Sequence, residues 1–221
     1  MHQFYNMSGN LICEVSDRDR AAVKQKGLSR VARALTSAIQ QRAYSFKELA
    51  LPTAKLSGIN LSGIDVSGGD FCCADFDGSN LSGARFSNTN CIGATFPGAR
   101  AWRADWNNAL LNRALFSGSD LREVDFRDAD LREVDFRDAD LRNADLRGAD
   151  LRGACLEGAC LEEADLRGAC LDNEAFYDAD FSFSLLGPVN SWRRRSALGS
   201  DLPATPSTPA PKAPGGSAPK L

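Results

Sequence analysis

A leucine or phenylalanine recurs at nearly every fifth position, in one unbroken phase from Leu51 to Leu186. The series runs Leu51, Leu56, Leu61, Val66, Phe71, Phe76, Leu81, Phe86 and onward, with Cys91, Ala101 and Trp106 as its unusual occupants. Two residues before each comes a small side chain, as at Ala94, Ala104, Ala114, Ala129, Ala139, Ala144 and Ala149. A helix returns to one face every ~3.6 residues and a strand every two, so neither keeps this pattern on one side over 136 residues. The stacked coils of a solenoid do.

The individual units are A(D/N)LxG, complete in Ala144-Asp145-Leu146-Arg147-Gly148 and again in Ala149-Asp150-Leu151-Arg152-Gly153. The stretch DLREVDFRDAD occurs twice, from Asp120 to Asp130 and from Asp130 to Asp140, which points to an internal duplication. Over about three fifths of its length the chain resembles the pentapeptide-repeat family. The resemblance implies an all-β solenoid, a right-handed quadrilateral β-helix with four pentapeptides per coil. The central Leu/Phe and the small residue before it face inward, and the other three positions face solvent. Twenty-eight repeats make about seven coils, a rod ~34 Å long at strand spacing. Glycine ends many units, including Gly58, Gly78, Gly98 and Gly148. There the chain turns a corner and glycine enters positive φ freely; Asn88, Asn108, Asn143 and Asn173 are the next best substitutes.

The expected organisation is an N-terminal helical cap over 1–50, the β-helix over 51–187 and a disordered tail over 188–221. Residues from about Ser16 to Tyr44 read as helix, capped by Ser16 or Asp17 and bent at Gly27, with Leu28, Val31, Leu35, Ala38 and Ile39 on one face. That face is expected to cover the open end of the first coil. Ser45 and Glu48 suggest a capping box for one further turn. The tail carries Trp192 beside Arg193, Arg194 and Arg195, then runs of Pro, Ala, Thr, Ser and Gly that cannot bury enough apolar area to order.

The formal charge of −3 averages unlike regions. Residues 51–187 hold 13 basic and 24 acidic side chains, net −11, while the segments on either side are each +4. No apolar run reaches the roughly 18 residues of a membrane span, and the N-terminus has no signal-peptide pattern, so the expected location is cytoplasmic. Seven cysteines without CxxC or Cys/His zinc spacing fit reduced thiols, and no metal or other cofactor is expected. His2 is the only histidine, so the rod cannot assemble a histidine-based catalytic group. Its glycines follow corners rather than a phosphate-binding loop. A non-enzymatic binding protein is the expectation.

Surface charge is uneven. On the side carrying the phenylalanine column, Asp75, Asp77, Asp135, Asp138, Glu157, Glu174 and Asp178 against Lys55 and Arg137 give −5, while the other sides each come to −2. Pro97 and Leu115 project between the acidic clusters. Asp75, Asp77, Leu115, Asp135, Asp138 and Glu157 therefore form the candidate partner-binding surface. Some members of the family resemble duplex DNA in width and charge and protect or inhibit DNA gyrase by occupying its DNA site. The resemblance thus implies a protein partner with a basic surface, a DNA topoisomerase among the candidates, and no direct nucleic-acid binding by the rod. The unbroken phase and the arginine-rich stretch from Arg122 to Arg152 depart from several such members. The alternative is a structural protein that uses the rod as a rigid spacer and its ends for assembly, with Tyr177, Phe183, Leu185 and Trp192 as the candidate homodimer surface at the C-terminal coil.

Overall fold

The computed structural model describes residues 2–6, 8–9, 11–15, 29–40, 46–172, 179 and 184–185. Most of the chain is a four-sided β-helix. Short parallel bridges join residues 20 apart in four sets, for example Asp70 to Asn90, Asp75 to Thr95, Asn80 to Arg100 and Arg85 to Asp105. Each side ends in a turn closed by the N–H of the small residue on the preceding central carbonyl, as in Ala74 N to Phe71 O at 2.9 Å. Positive φ at the third turn residue alone is the type II signature.

The inward phase is as expected. Central and small positions are buried from Leu56 to Leu171 except for the half-buried Ala154, with Phe96, Phe116 and Phe136 fully enclosed. Four core columns result. The first side stacks Phe71, Cys91, Leu111 and Leu131; the second Phe76, Phe96, Phe116 and Phe136; the third Leu81, Ala101, Leu121 and Leu141; the fourth Phe86, Trp106, Phe126 and Leu146. Rings stack within a column, Phe96 on Phe116 at 4.5 Å and 4°, and meet edge to face across the core, Trp106 against Phe116 at 5.6 Å and 82°. Both arrangements suit aromatic quadrupoles.

The three unusual central residues share one coil. Cys91, Phe96, Ala101 and Trp106 fill it, so two small side chains flank the bulky indole where Leu111 and Leu121 flank Phe126 one coil on. A close-packed interior requires such compensation. Gly69 has a related reason: a Cβ there would meet Leu49 O at 2.7 Å and the Phe71 ring at 2.8 Å.

Corners depart from the glycine expectation. Gly58, Gly78 and Gly148 take positive φ, as do Asn88, Asn108 and Asn143. So do Thr53, Cys73, Arg103, Arg113, Glu123, Asp128, Glu133, Asp138 and Glu163. The stacked ladder holds these residues in a region that costs an L-residue about 1–2 kcal/mol.

The N-terminal fifty residues are not simply helical. Strand β1 (His2–Tyr5) pairs antiparallel with β2 (Leu11–Val15). The Ala50 N–H donates to the Tyr5 carbonyl, and Phe4 is buried with the core. Helix α1 spans Arg30–Gln40. Its N-cap is Ser29, whose Oγ accepts the Ala32 N–H at 3.1 Å and donates to the Lys55 carbonyl of the first coil. Leu35 and Ala38 are fully buried. Ser16, Asp17, Gly27, Leu28 and Ser45 lie outside the described residues. The solenoid pattern starts at Phe46, one unit early: Leu49 N bonds Phe46 O, and Glu48, at φ 58°, donates to Ser67 O. Glu48 is thus a coil corner and not a helical turn.

Volume compensation around Trp106 is measurable. Ala101→Leu alone should overpack the coil and destabilise by about 1–3 kcal/mol. In a Trp106→Phe background the loss should be smaller, because the ring that crowds the leucine is reduced. Denaturant unfolding of the two single variants and the double variant measures the coupling; additive losses would refute it.

Candidate functional site

Surface chemistry begins with one leftover backbone group. In the regular pentapeptide the coil ladder takes three N–H groups and the turn takes a fourth, as Cys91, Gly93, Thr95 and Ala94 illustrate. The N–H following the central residue has no backbone acceptor there. The Asp or Asn preceding the central residue supplies one: Asp130 Oδ1 accepts Arg132 N at 3.3 Å, and Asn90 Oδ1 accepts Ile92 N at 3.3 Å. Pro52 and Pro97 follow Ala50 and Thr95, which offer no such carboxylate or amide, and proline has no N–H to satisfy. The Asp/Asn preference is therefore structural in origin.

Where the unit reads Asp-Leu-Arg or Asp-Phe-Arg, the same carboxylate also receives the guanidinium fork. Arg132 Nε reaches Asp130 Oδ1 at 2.7 Å and Nη2 reaches Oδ2 at 2.6 Å. The arrangement repeats at Asp120–Arg122, Asp125–Arg127, Asp135–Arg137, Asp140–Arg142, Asp145–Arg147, Asp150–Arg152 and Asp165–Arg167. Arginines also reach the next coil, Arg127 Nε to Asp145 Oδ2 and Arg147 Nε to Asp165 Oδ2, both at 3.6 Å. The ladder Asp105, Asp125, Asp145 and Asp165 thus carries interleaved arginines from Arg127 onward. At the corners Arg103 meets Glu123 at 2.7 Å and Arg113 meets Glu133 at 2.8 Å.

This pairing corrects the charge reading of the second side. Asp135 is bound by Arg137 at 2.6 Å and its side chain is only 15% exposed, so it is not available to a partner. The other candidates are not bound in forks. Asp75 accepts the Asp77 N–H and the Ser57 hydroxyl, and Asp77 accepts the Thr95 hydroxyl at 2.6 Å. Asp77, Asp138 and Glu157 are exposed, and Leu115 is 39% exposed. Asp75, Asp77, Asp138 and Glu157 make no ion pair among the described residues, although Glu157 lies within the field of Arg137. The first side leaves Asp70 and Asp172 without an ion pair among those residues, the third Glu162 and Glu163, the fourth Glu48, Asp105 and Asp128. Sequence spacing places Arg127, Arg147 and Arg167 two residues along from Asp125, Asp145 and Asp165 and offsets that ladder, but it did not reveal that each pair closes as a fork or that Asp135 is taken up in the same way.

Asp138 has a further peculiarity. The other described corners of its column, Gly58, Gly78, Gly98, Gly118 and Gly158, are glycines, whereas Asp138 holds φ 56°. Of the candidate end surface, Leu185 bridges to Asp165 and is 53% exposed; Tyr177, Phe183 and Trp192 lie outside the described residues, as do Glu174 and Asp178. A shallow groove lies elsewhere, lined by Trp102, Arg122, Glu123, Arg142, Asn143, Glu162 and Glu163. Among the described residues no three or more His, Cys, Asp or Glu side chains form a metal-sized cluster, and no helix is long and apolar enough to cross a membrane.

Two consequences follow for stability. Asp130→Asn keeps the acceptor for the Arg132 N–H and removes only an exposed ion pair, so it should cost under about 1 kcal/mol. Asp130→Ala should cost roughly 1 kcal/mol more; equal losses in chemical unfolding would contradict the structural role. The arginine fork, joined by the backbone N–H and opposed by partial burial, holds Asp120, Asp130, Asp135, Asp140, Asp150 and Asp165 below the ordinary carboxylate range. A depressed folded-state pKa contributes stability above the unfolded value of about 3.9. Stability from these groups should therefore be level from neutral pH to roughly 5 and fall as pH drops through about 4 and below. Melts across that range test the sign.

Residues 54–90, 89–128 and 129–168, together more than half of the chain, match the family model of pentapeptide repeats, in eight copies. Similar solved structures include HetL, a pentapeptide repeat protein involved in heterocyst differentiation regulation from the cyanobacterium Nostoc sp. strain PCC 7120 (23% identity, 66% of this chain and 85% of that one, TM-score 0.38). Full-length QnrB1, a plasmid-mediated fluoroquinolone resistance protein, is 20% identical over 62% of this chain and 79% of its own, with TM-score 0.27. A pentapeptide repeat protein from the Arabidopsis thaliana thylakoid lumen is 26% identical over 49% of this chain and 62% of its own, with TM-score 0.29. No curated protein sequence matches. With its 20-residue coils and inward Leu/Phe columns, the chain belongs to the pentapeptide repeat family, whose fold is the right-handed quadrilateral β-helix.

Proposed function

We propose that the protein is a non-enzymatic, cytoplasmic binding rod that lays the second side of its solenoid into a basic groove of a partner, in the manner of a DNA mimic. The observation that carries this reading is the concentration there of carboxylates without an ion pair among the described residues. Asp75, Asp77, Asp138 and Glu157 remain after the fold's own forks are set aside, more than on any other side. Asp138 adds an independent reason: among the described corners of its column it alone is not glycine, and a residue held in left-handed backbone where its neighbours use glycine is the kind of outlier that accompanies function. The fluoroquinolone resistance of QnrB1 makes DNA gyrase the enzyme to try first. The exposed Leu185 at the last bridge supports a second reading, a spacer that assembles through its C-terminal end.

Charge reversal separates the two. Asp77→Lys/Asp138→Lys/Glu157→Lys should weaken competition with DNA by about tenfold or more, mainly through slower association, and added salt should weaken the wild type. Asp128→Lys/Glu162→Lys/Glu163→Lys makes the same charge change on other sides and should act like wild type. Asp138→Gly should raise stability by about 1 kcal/mol while weakening binding. The readout is a DNA gyrase supercoiling assay. A wild type without effect, or two triple variants that behave alike, removes the mimic and leaves the spacer.

A further inference from the structure

Cys72 and Cys73 stand side by side on the turn from the first side to the second, with their sulfurs 3.6 Å apart. Their backbone is held from two coils. Cys72 donates its N–H to Asp70 Oδ1, its carbonyl accepts the Thr53 N–H, and the Cys73 N–H donates to the Ile92 carbonyl. Cys73 is fixed at φ 55°. A ligand that takes both sulfurs has only side-chain torsions left to order, which is the condition for a preorganised site.

The pair is also open to solvent. Cys73 is exposed and Cys72 half-buried. Gly93 lies beneath in the next coil, where a Cβ would stand 3.5 Å from Cys73 Sγ, so no side chain from that position covers the sulfur. Among the described side chains the other exposed or half-buried thiols, Cys155, Cys160 and Cys170, sit singly on the second, third and first sides. Among the described residues no third thiol, imidazole or carboxylate completes a metal-sized cluster at the pair, so a tetrahedral zinc set is not built here.

We propose that Cys72 and Cys73 form a two-sulfur chelate for a soft, thiophilic centre of the trivalent arsenical class. Thiolate sulfur is the soft ligand such a centre prefers. With an oxo-arsenical R–As=O, two S–H bonds break, two As–S bonds form and the oxygen departs with both protons as water. Neither arsenic nor sulfur changes oxidation state. Once one sulfur is bound, the second closes the ring at high effective concentration, and this advantage is denied to the single thiols. Burial and the contact with Cys73 push the Cys72 thiol up.

The trial uses the reduced full-length protein and phenylarsine oxide, followed by intact mass. Wild type should retain one arsenical through a wash with excess 2-mercaptoethanol and lose it to dithiothreitol. Cys72→Ser and Cys73→Ser should each reduce retention by about tenfold or more. The combined Cys155→Ser/Cys160→Ser/Cys170→Ser variant should retain it as wild type does. Thermal melts confirm that each variant is folded. Stripping of wild type by 2-mercaptoethanol, or full retention by Cys73→Ser, overturns the chelate.

Discussion

The backbone ladder between residues about 20 apart is the constraint from which the rest descends. Leu56 N donates to Asp75 O, Gly58 N to Asp77 O, and Asp75 N to Ala54 O, and the same three bonds recur around the coils. Such bonds are short-reach and directional, so they leave no freedom in register. Once register is fixed, every residue must lie over its counterpart one coil away. Core residues become columns, corners become columns and surface charges become columns. The parallel stacking of Phe96 on Phe116 reflects this register more than any independent preference of the rings.

Stacking creates the problem that the arginines answer. A column of aspartates at strand spacing repels itself by roughly 1 kcal/mol per pair even in bulk water at 4 Å. Yet an Asp or Asn is wanted at that place to accept the N–H that the ladder omits. Arginine two residues on satisfies both demands, because its planar fork matches the carboxylate while its backbone supplies the N–H. Each exposed pair adds little by itself. The value of the device lies in letting the acceptor repeat through successive coils without accumulating charge.

The fold was legible in the sequence because its period is carried by residues with one role each. Phe116 is inward and nothing else; Gly78 is a corner and nothing else. Legibility failed where one residue served two roles or where context overrode propensity. Asp135 reads as surface acid, but its carboxylate is committed to Arg137. Arg103 and Glu123 read as poor corners, but ladder and ion pair hold them there. At the N-terminus, the short apolar run of Leu11–Val15 after the Gly9 turn carried a strand signal, which the stronger helical period of Arg30–Gln40 overshadowed. Among the candidate residues, only side-chain geometry could show which carboxylates were already taken.

Those commitments also narrow where recognition can reside. Of five positions per unit, two are consumed by the core, one by the acceptor duty and one by the left-handed corner. Only the residue after the central position is free of structural obligation. Along the fourth side that column reads Ser67, Ser87, Asn107, Arg127, Arg147 and Arg167, ending in arginines that serve the forks. Along the second it reads Ser57, Asp77, Pro97, Ser117, Arg137 and Glu157, where only Arg137 is so engaged. A net charge summed over the rod treats these columns as equal. Physically they are not, because a carboxylate held in a fork must lose that bond before it can meet a partner, whereas Asp77 and Glu157 can approach a cation from the surface at once.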